Sequence, residues 1–199
     1  MNKILGGIGL ALALTIPMTM QGQTVPAENP AHQELRQMRD GLLAAMNKGD
    51  LETTLTYLET NVVITWQNAE VSRGHDGVRA YYSRVMTGPD KILDSFSCSI
   101  QPDERTILYG DDIGICFGSS DEHYKLTNGK DLNVKGRWTA TLVKENGHWL
   151  VASLHCSTDL FDNVMLNFAK KAAWAAGAAG FALGVVPGLA VALLRRRTT

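Results

Sequence analysis

Residues 145–157 read ENGHWLVASLHCS, and this stretch decides how the whole chain is interpreted. An Asn-Gly pair flanked by apolar, strand-like segments is the strongest short-range signal for a β-hairpin turn. Here the pair stands at 146–147, and the flanking segments occupy residues 132–143 and 148–156. The sequence therefore predicts an antiparallel hairpin near the end of a folded region.

The sequence leaves the register of this hairpin open. A three-residue turn with Gly147 in the left-handed conformation would pair Trp138 with Leu154 and place Cys156 on the same face. A two-residue turn would shift the pairing by one and place Trp138 opposite His155. Because side chains alternate between the faces of a sheet, the register decides which of them point inward.

The chain before this hairpin is predicted to form strands and turns from Lys91 onward. Asn128-Gly129 is a second hairpin signal, and Gly110-Asp111-Asp112 marks a further turn. These turns separate segments that are long enough for extended strands. The predicted strands cover residues 92–109, with a bend near 102–103, then 113–125, 132–143 and 148–156.

The first half of the same region is predicted to be mainly helical, since its apolar residues recur at helical spacing. Gly49 is expected to end the first helix, and Asp50 to cap the second. Helices followed by a strand meander predict the α+β class, with three N-terminal helices packed on a curved antiparallel sheet. The predicted helices cover residues 30–48, 51–58 and about 75–86, with a short strand pair at 62–66 and 70–72.

With these elements in place, residues 30–160 resemble the nuclear transport factor 2-like, SnoaL-like superfamily. The most specific part is the closing strand, and the glycines that start or end helices add weight. The resemblance implies a cone-shaped fold that encloses one pocket, and a homodimer formed through the sheet. It implies isomerases, dehydratases, polyketide cyclases or non-enzymatic domains, so the fold alone does not decide the function. The residues that carry it are Gly147, Trp149, His155 and Ser157, with Gly49-Asp50 and Gly74.

The steroid isomerase branch of that superfamily gives a specific comparison. Its mechanism uses a carboxylate base and a tyrosine that donates a hydrogen bond. Aligned on Gly49-Asp50, the position of the base falls on Trp66 and that of the donor tyrosine on Leu42. An indole does not accept a proton at neutral pH and a leucine does not donate one. Isomerase chemistry by that particular route is therefore predicted to be absent.

In the first register, large aromatic and aliphatic side chains line the pocket, and this favours a small hydrophobic ligand. Tyr82, His123 and His155 are candidate catalytic residues, because a histidine beside a tyrosine can form an acid–base pair. No catalytic residue is assigned beyond these candidates. The predicted pocket-lining residues are Trp66, Tyr82, Trp138, Leu154 and Cys156.

The sequence predicts neither a metal site nor a cofactor. The three cysteines lie far apart and form no C-x-x-C pair. Asp121, Glu122 and His123 are consecutive, but consecutive residues of a strand point to opposite faces and cannot converge on one ion. No phosphate loop and no H-E-x-x-H motif is present in the sequence. No basic stripe runs through the middle of the chain, so nucleic acid is not an expected partner.

The two ends of the chain predict a membrane protein. Residues 1–27, with Lys3 before an apolar run, are typical of a signal peptide or N-terminal anchor. Residues 172–194 contain no charge and are long enough to span a bilayer. The predicted organisation continues from the domain at 28–160 through a juxtamembrane linker at 161–171 to this transmembrane helix and a cytoplasmic tail at 195–199. The arginines at 195–197 predict an inner (cytoplasmic) membrane protein whose domain faces the periplasm or exterior.

The sequence thus favours a membrane-anchored, extracytoplasmic SnoaL-like domain that binds a small hydrophobic ligand or mediates assembly. The alternative is an enzyme of the isomerase, dehydratase or polyketide-cyclase kind that acts on a small hydrophobic substrate. A polar pair of groups inside the pocket would favour the enzyme. A purely aromatic void would favour the binding domain.

Overall fold

The architecture was analysed in a computed structural model, which describes residues 29–196. The predicted signal peptide or anchor at 1–27 lies outside the described residues, as does the end of the predicted cytoplasmic tail. The mixed α+β class and the curved sheet predicted from the sequence are confirmed.

The first two helices begin and the first one ends as the sequence predicts, whereas α2 stops at Leu55 and the residue predicted as its end, Leu58, begins the first strand. The Asn29 side chain accepts from the Ala31 amide at 3.0 Å, and Asp50 accepts from the Thr53 amide at 3.0 Å. Gly49 adopts the left-handed conformation between the first two helices. The helices are α1 (Pro30–Lys48), α2 (Leu51–Leu55), α3 (Gly74–Tyr82), which continues as a π-helical turn (Ser83–Thr87), and α4 (Val164–Arg196).

Seven strands form one sheet in the order β2-β1-β7-β6-β5-β3, with β4 paired to the first part of β5. The pairs are antiparallel except β1 with β7, which is parallel. The strands are β1 (Leu58–Thr65), β2 (Val71–Arg73), β3 (Leu93–Pro102), β4 (Ile107–Tyr109), β5 (Ile113–Leu126), β6 (Asp131–Glu145) and β7 (His148–Thr158).

The strand predicted over 92–109 is two strands, β3 and β4, which both pair with β5. The predicted bend near 102–103 therefore becomes a break between Pro102 and Ile107. After the break, Asp103 is held by two contacts: its amide donates to the Phe117 carbonyl at 3.1 Å, and its carboxylate pairs with Arg137. The interruption lets the chain follow the curvature of the sheet.

The hairpin at 146–147 has a two-residue turn, with φ of 50° at Asn146 and 81° at Gly147. Two positive φ values suit the asparagine and glycine of this turn. Ala152 is then an extra residue in β7 without a partner in β6, so the register shifts by one and Trp138 pairs with Cys156. Neither predicted register is correct. The bulge nevertheless returns Cys156 to the face on which the three-residue turn would have placed it.

The core lies between the helices and the inner face of the sheet. Leu35 of α1 and Val78 of α3 are buried against β1, β6 and β7, and Val62 is fully buried. The Trp149 indole is buried and donates to the Glu34 carboxylate at 3.0 Å. These contacts fix α1 and α3 above the sheet and leave a space between them.

Helix α4 contributes no residue to this core and extends beyond it. Its stretch Val164–Leu194 is 31 residues long and apolar enough to cross a membrane, and none of its described side chains is buried. The segment 161–171, predicted as a linker, is helical from Val164 onward. A short non-helical segment, residues 159–163, therefore joins the domain to a continuous helix that includes the apolar stretch.

Candidate active site

A cavity of about 860 Å³ lies between α1, α3 and the inner face of the sheet. This volume falls in the range of about 300–1,000 Å³ that is usual for small-molecule sites. Most of its lining is apolar. Helix α1 contributes Met38, Leu42 and Met46, while the sheet contributes Trp138 and Leu154.

One carboxylate interrupts this apolar lining. Glu122 of β5 is only 9% exposed and lines the cavity. Its Oε1 accepts from the Ser120 hydroxyl at 2.7 Å, and its Oε2 accepts from Gln67 Nε2 at 2.7 Å and from the Tyr124 hydroxyl. A buried carboxylate is costly unless it is hydrogen-bonded, and here three donors satisfy it.

We call these four hydrogen-bonded residues the Glu122 cluster (Gln67, Ser120, Glu122 and Tyr124). The geometry of β5 brings three of them together. Residues 120, 122 and 124 alternate along β5, so their side chains share the inner face. Gly136 lies opposite on β6, where a Cβ atom would stand 2.6 Å from Ser120 Oγ and 3.2 Å from Glu122 Oε1. The missing side chain at Gly136 provides the room that the cluster occupies.

The Glu122 carboxylate can accept one more hydrogen bond. A carboxylate offers about four lone-pair sites, and the three donors of the cluster use three of them. The remaining site is on Glu122 Oε1, which accepts only from Ser120 among the residues that the structure describes. Since Glu122 lines the cavity, this oxygen is available to a bound molecule.

Tyr81 provides a hydroxyl group in the same cavity. Its ring stacks on Trp66 at 4.3 Å between centroids, with the planes 5° apart. The Trp66 indole N–H donates to Ser72 Oγ at 2.8 Å, which fixes the stacked pair. Among residues 29–196, no protein group accepts a hydrogen bond from the Tyr81 hydroxyl. It remains free to donate to a ligand.

The ionisable hydroxyls and thiols around the cluster are held in their neutral forms. Burial, together with the Glu122 carboxylate, raises the pKa of Tyr124. Burial also raises the pKa of Tyr81, and the Glu70 carboxylate adds to that shift. Burial followed by Glu122 raises the pKa of Cys156 to about 12 and that of Cys98 to about 11. At neutral pH the tyrosines are donors and the thiols are not nucleophiles.

The structure brings the five predicted pocket-lining residues to the cavity: Trp66, Tyr82, Trp138, Leu154 and Cys156 all line it. The candidate catalytic residues are placed differently. The Tyr82 hydroxyl is engaged, because it donates to the Gly49 carbonyl at 2.9 Å. His123 faces away from the cavity and lies 3.2 Å from Asp131. His155 is exposed on the outer face, between Leu154 and Cys156, which point inward.

The sequence reasoning missed the Glu122 cluster and Tyr81. A signal for the cluster was present, since the pattern S-x-E-x-Y places three polar groups on one face of a strand. The same alternation had been used only to exclude a metal site at residues 121–123. In residues 29–196 no three His, Cys, Asp or Glu side chains are grouped as metal ligands.

Replacing Gly136 with alanine is expected to displace the Glu122 cluster. The new methyl group would meet side-chain ends, Ser120 Oγ at 2.6 Å and Gln67 Nε2 at 2.9 Å, which can move. We expect the free energy of unfolding to fall by only about 1–2 kcal/mol, while ligand binding or activity in the cavity is lost. Denaturation and ligand titration of the full chain measure the two effects. Lys135→Ala, at an exposed neighbouring position, is the control that should change neither.

Comparison with known proteins identifies the domain. Residues 35–160 match the family described as the SnoaL-like domain. The match includes the Glu122 cluster, the cavity-lining strands and helix α3, and it ends just before α4. No curated protein matches the chain.

Solved structures share the fold of this region. A hexachlorocyclohexane dehydrochlorinase (LinA, type 2) aligns with a TM-score of 0.58 at 11% identity, covering 65% of this chain and 86% of that one. A ketosteroid isomerase-like protein from Erwinia carotovora atroseptica SCRI1043 aligns with a TM-score of 0.58 at 15% identity, covering 65% and 97%. An NTF-2-like protein of unknown function from Shewanella oneidensis MR-1 gives 0.51 at 21%, covering 65% and 99%. At these identities the likeness concerns the fold.

Proposed function

The chain belongs to the SnoaL-like domain family, and we propose that its cavity is the active site of an enzyme that moves a proton on a small hydrophobic substrate. The observation that carries the proposal is the buried Glu122 carboxylate, which lines an otherwise apolar cavity and keeps one free acceptor site. Binding of a hydrophobic ligand does not require a buried charged group in the pocket. An acid–base enzyme needs one at a fixed position.

In the proposed reaction Glu122 is the general base. Its carboxylate takes a proton from a carbon next to a substrate carbonyl, which leaves a carboxylic acid and an enolate. The proton then returns to the same carbon or to a conjugated one, so the step needs no oxidant or reductant. Ser120, Gln67 and Tyr124 hold the carboxylate in place through their hydrogen bonds.

The Tyr81 hydroxyl is the proposed donor to the enolate oxygen. Its raised pKa keeps the proton on the hydroxyl at neutral pH. The stacked Trp66 ring fixes its orientation, and a preorganised donor stabilises charge that develops in the transition state. This arrangement differs from the one excluded at the positions of Trp66 and Leu42, because here the base and the donor come from β5 and α3.

Two of the structures that share the fold are named as a dehydrochlorinase and as a ketosteroid isomerase-like protein. These names agree with proton-transfer chemistry in this fold. They supply no substrate for this chain, whose base and donor residues are argued from its own cavity. The interpretation favoured from the sequence, a binding domain without catalysis, was based on the predicted aromatic and aliphatic lining of the pocket.

The test is proton exchange at carbon. The full-length protein in detergent is incubated in D2O with a panel of apolar cyclic ketones, and deuterium incorporation next to the carbonyl is followed by NMR. We expect exchange above the protein-free rate for ketones that also raise the melting temperature. Ketones that raise the melting temperature without faster exchange would contradict the enzyme and support the binding domain.

We also propose that α4 anchors the domain in the inner membrane, with the domain on the extracytoplasmic side. The stretch 172–194 carries no charge, Lys170 and Lys171 precede it, and arginines follow it. The test uses intact spheroplasts. The full chain should stay with membranes after alkaline extraction, and protease added outside should digest the domain. A chain released by alkali, or protected from the protease, would refute the anchor or the orientation.

Self-association through the outer face of the sheet is proposed for the same domain. Ile107, Tyr109 and Ile113 are between 41% and 55% exposed, and their strand pairing places them on one face together with Ile115 and Phe117. An apolar group of this kind on a sheet face suits contact with a second copy.

Ile113→Lys is therefore expected to shift a homodimer towards monomer. Central interface residues contribute about 2 kcal/mol or more, equivalent to roughly thirtyfold in the dissociation constant. Sedimentation equilibrium of the full chain in detergent measures the change. Ile92→Lys, at an exposed apolar position that precedes β3, is the matched control and should leave the dimer intact. Equal effects of both variants would argue against this face.

A further inference from the structure

The first turn of α4 is part of the cavity wall. Asn163, Val164 and Met165 all line the cavity, and α4 approaches β6. Asn163 and Val164 are half-buried, whereas Met165 is 62% exposed. The helix that carries the candidate membrane span therefore borders an opening of the cavity before it leaves the domain.

The distance from this opening to the bilayer is fixed by the helix. Ala172, where the uncharged stretch begins, lies seven positions after Met165, and the continuous helix makes this about 10 Å. The head-group layer on each side of the hydrocarbon core is about 5–8 Å thick. With the stretch from Ala172 in the hydrocarbon, the opening lies at the outer surface of the head groups.

Large apolar side chains are exposed around the opening and one turn beyond it, before the two lysines at 170–171. Leu160, Phe161 and Phe168 are 76%, 82% and 48% exposed, and Met165 lies among them. Exposure of such a group of large apolar side chains to water is unfavourable. The interfacial layer of a membrane can bury them instead. It offers a molecule dissolved in the bilayer an apolar path to the opening.

The Glu122 cluster lies on this side of the cavity. Thr158, the last residue of β7 before α4, pairs with Gly136 of β6, and Gly136 pairs with Ser120 of the cluster. Leu126, four residues beyond Glu122 at the end of β5, also lines the cavity. A molecule entering beside α4 would therefore meet the carboxylate early.

We propose that the cavity takes its ligand directly from the membrane through the opening beside the first turn of α4. The ligand class is a membrane-dissolved molecule with an apolar body and one polar end that reaches Glu122. This inference rests on the proposed function for the identity of the site. It adds the class of substrate and its route of entry.

The experiment measures entry by fluorescence quenching. Full-length protein with Trp174→Phe is reconstituted in phosphatidylcholine vesicles, which removes the indole of the membrane span. Dibromooctadecanol, a neutral long-chain alcohol, quenches indoles only near contact, so it reports arrival beside Trp66 and Trp138, which line the cavity. The probe is supplied either in the same bilayer or in separate vesicles.

We expect rapid quenching from the same bilayer and slow quenching from separate vesicles. Met165→Glu, which places a charge at the opening, should slow same-bilayer entry about tenfold, equivalent to about 1.4 kcal/mol in the barrier. Asn167→Glu, which adds the same charge on a different face of α4 and outside the cavity lining, is the matched control and should leave the rate within about twofold. Met165→Leu should retain the original rate.

Three results would overturn the proposal: no quenching from the same bilayer, equal rates from both sources, or equal rates in Met165→Glu and Asn167→Glu. Each is separable from failure of the proposed function, because quenching reports occupancy and not turnover. Normal entry with no deuterium exchange would refute the enzyme alone. Exchange of ketones supplied in water without entry from the bilayer would refute the membrane route alone.

Discussion

Glu122→Gln is expected to lower kcat/KM for proton exchange by about 10²–10⁴, the usual contribution of a general base. The amide has nearly the shape of the carboxylate but does not take up a proton at neutral pH. Its NH2 group would also face one of the donors that now serve the carboxylate, Ser120, Gln67 or Tyr124. The change acts on the reaction while the side chain keeps its volume.

The chain offers a matched control for this variant one residue away. Asp121→Asn makes the same chemical change on β5, but Asp121 points to the outer face and pairs with Lys135 at 3.0 Å. It should leave kcat/KM unchanged. A base at Glu122 would be refuted if Glu122→Gln kept full activity, or if His155→Ala, on the outer face, removed it. Deuterium exchange of each full-length variant gives the comparison.

Most of the fold could be predicted from the sequence because its signals are local. The helix ends follow from Asn29, Gly49 and Asp50, whose side chains or conformations act within a few residues. The final hairpin follows from Asn146-Gly147. The parallel pairing of β1 with β7 joins residues about ninety positions apart, and no local signal specifies it.

The site was harder to predict than the fold, because a one-residue difference changes a side chain's role. Tyr81 and Tyr82 are neighbours on α3, and the sequence does not show which hydroxyl is engaged. In the structure, residues distant in sequence distinguish the two tyrosines. The Gly49 carbonyl accepts from the Tyr82 hydroxyl, whereas the Trp66 ring stacks on Tyr81. Glu122 likewise becomes notable only once its apolar surroundings are known.

Inserting an alanine between Thr141 and Leu142, opposite Ala152, is expected to have the largest effect on stability. The inserted residue would give Ala152 a partner in β6, so both strands would continue without a bulge. Because side chains alternate between the faces of a sheet, Trp138 and Leu154 would then turn outward. Lost burial of two apolar side chains, at about 1.5–3 kcal/mol each, predicts a loss of about 3–6 kcal/mol. That is a large share of the roughly 5–15 kcal/mol that usually holds a domain folded.

Urea denaturation of the full chain in detergent, followed by tryptophan fluorescence, measures this loss. Ala152→Ser keeps the chain length and the bulge, so it should cost less than about 1 kcal/mol. If the insertion were no more harmful than this substitution, β6 and β7 would have kept the same inner faces without the bulge. The bulge would then be dispensable. The expected difference instead means that one unpaired residue determines which side of β7 forms the cavity wall.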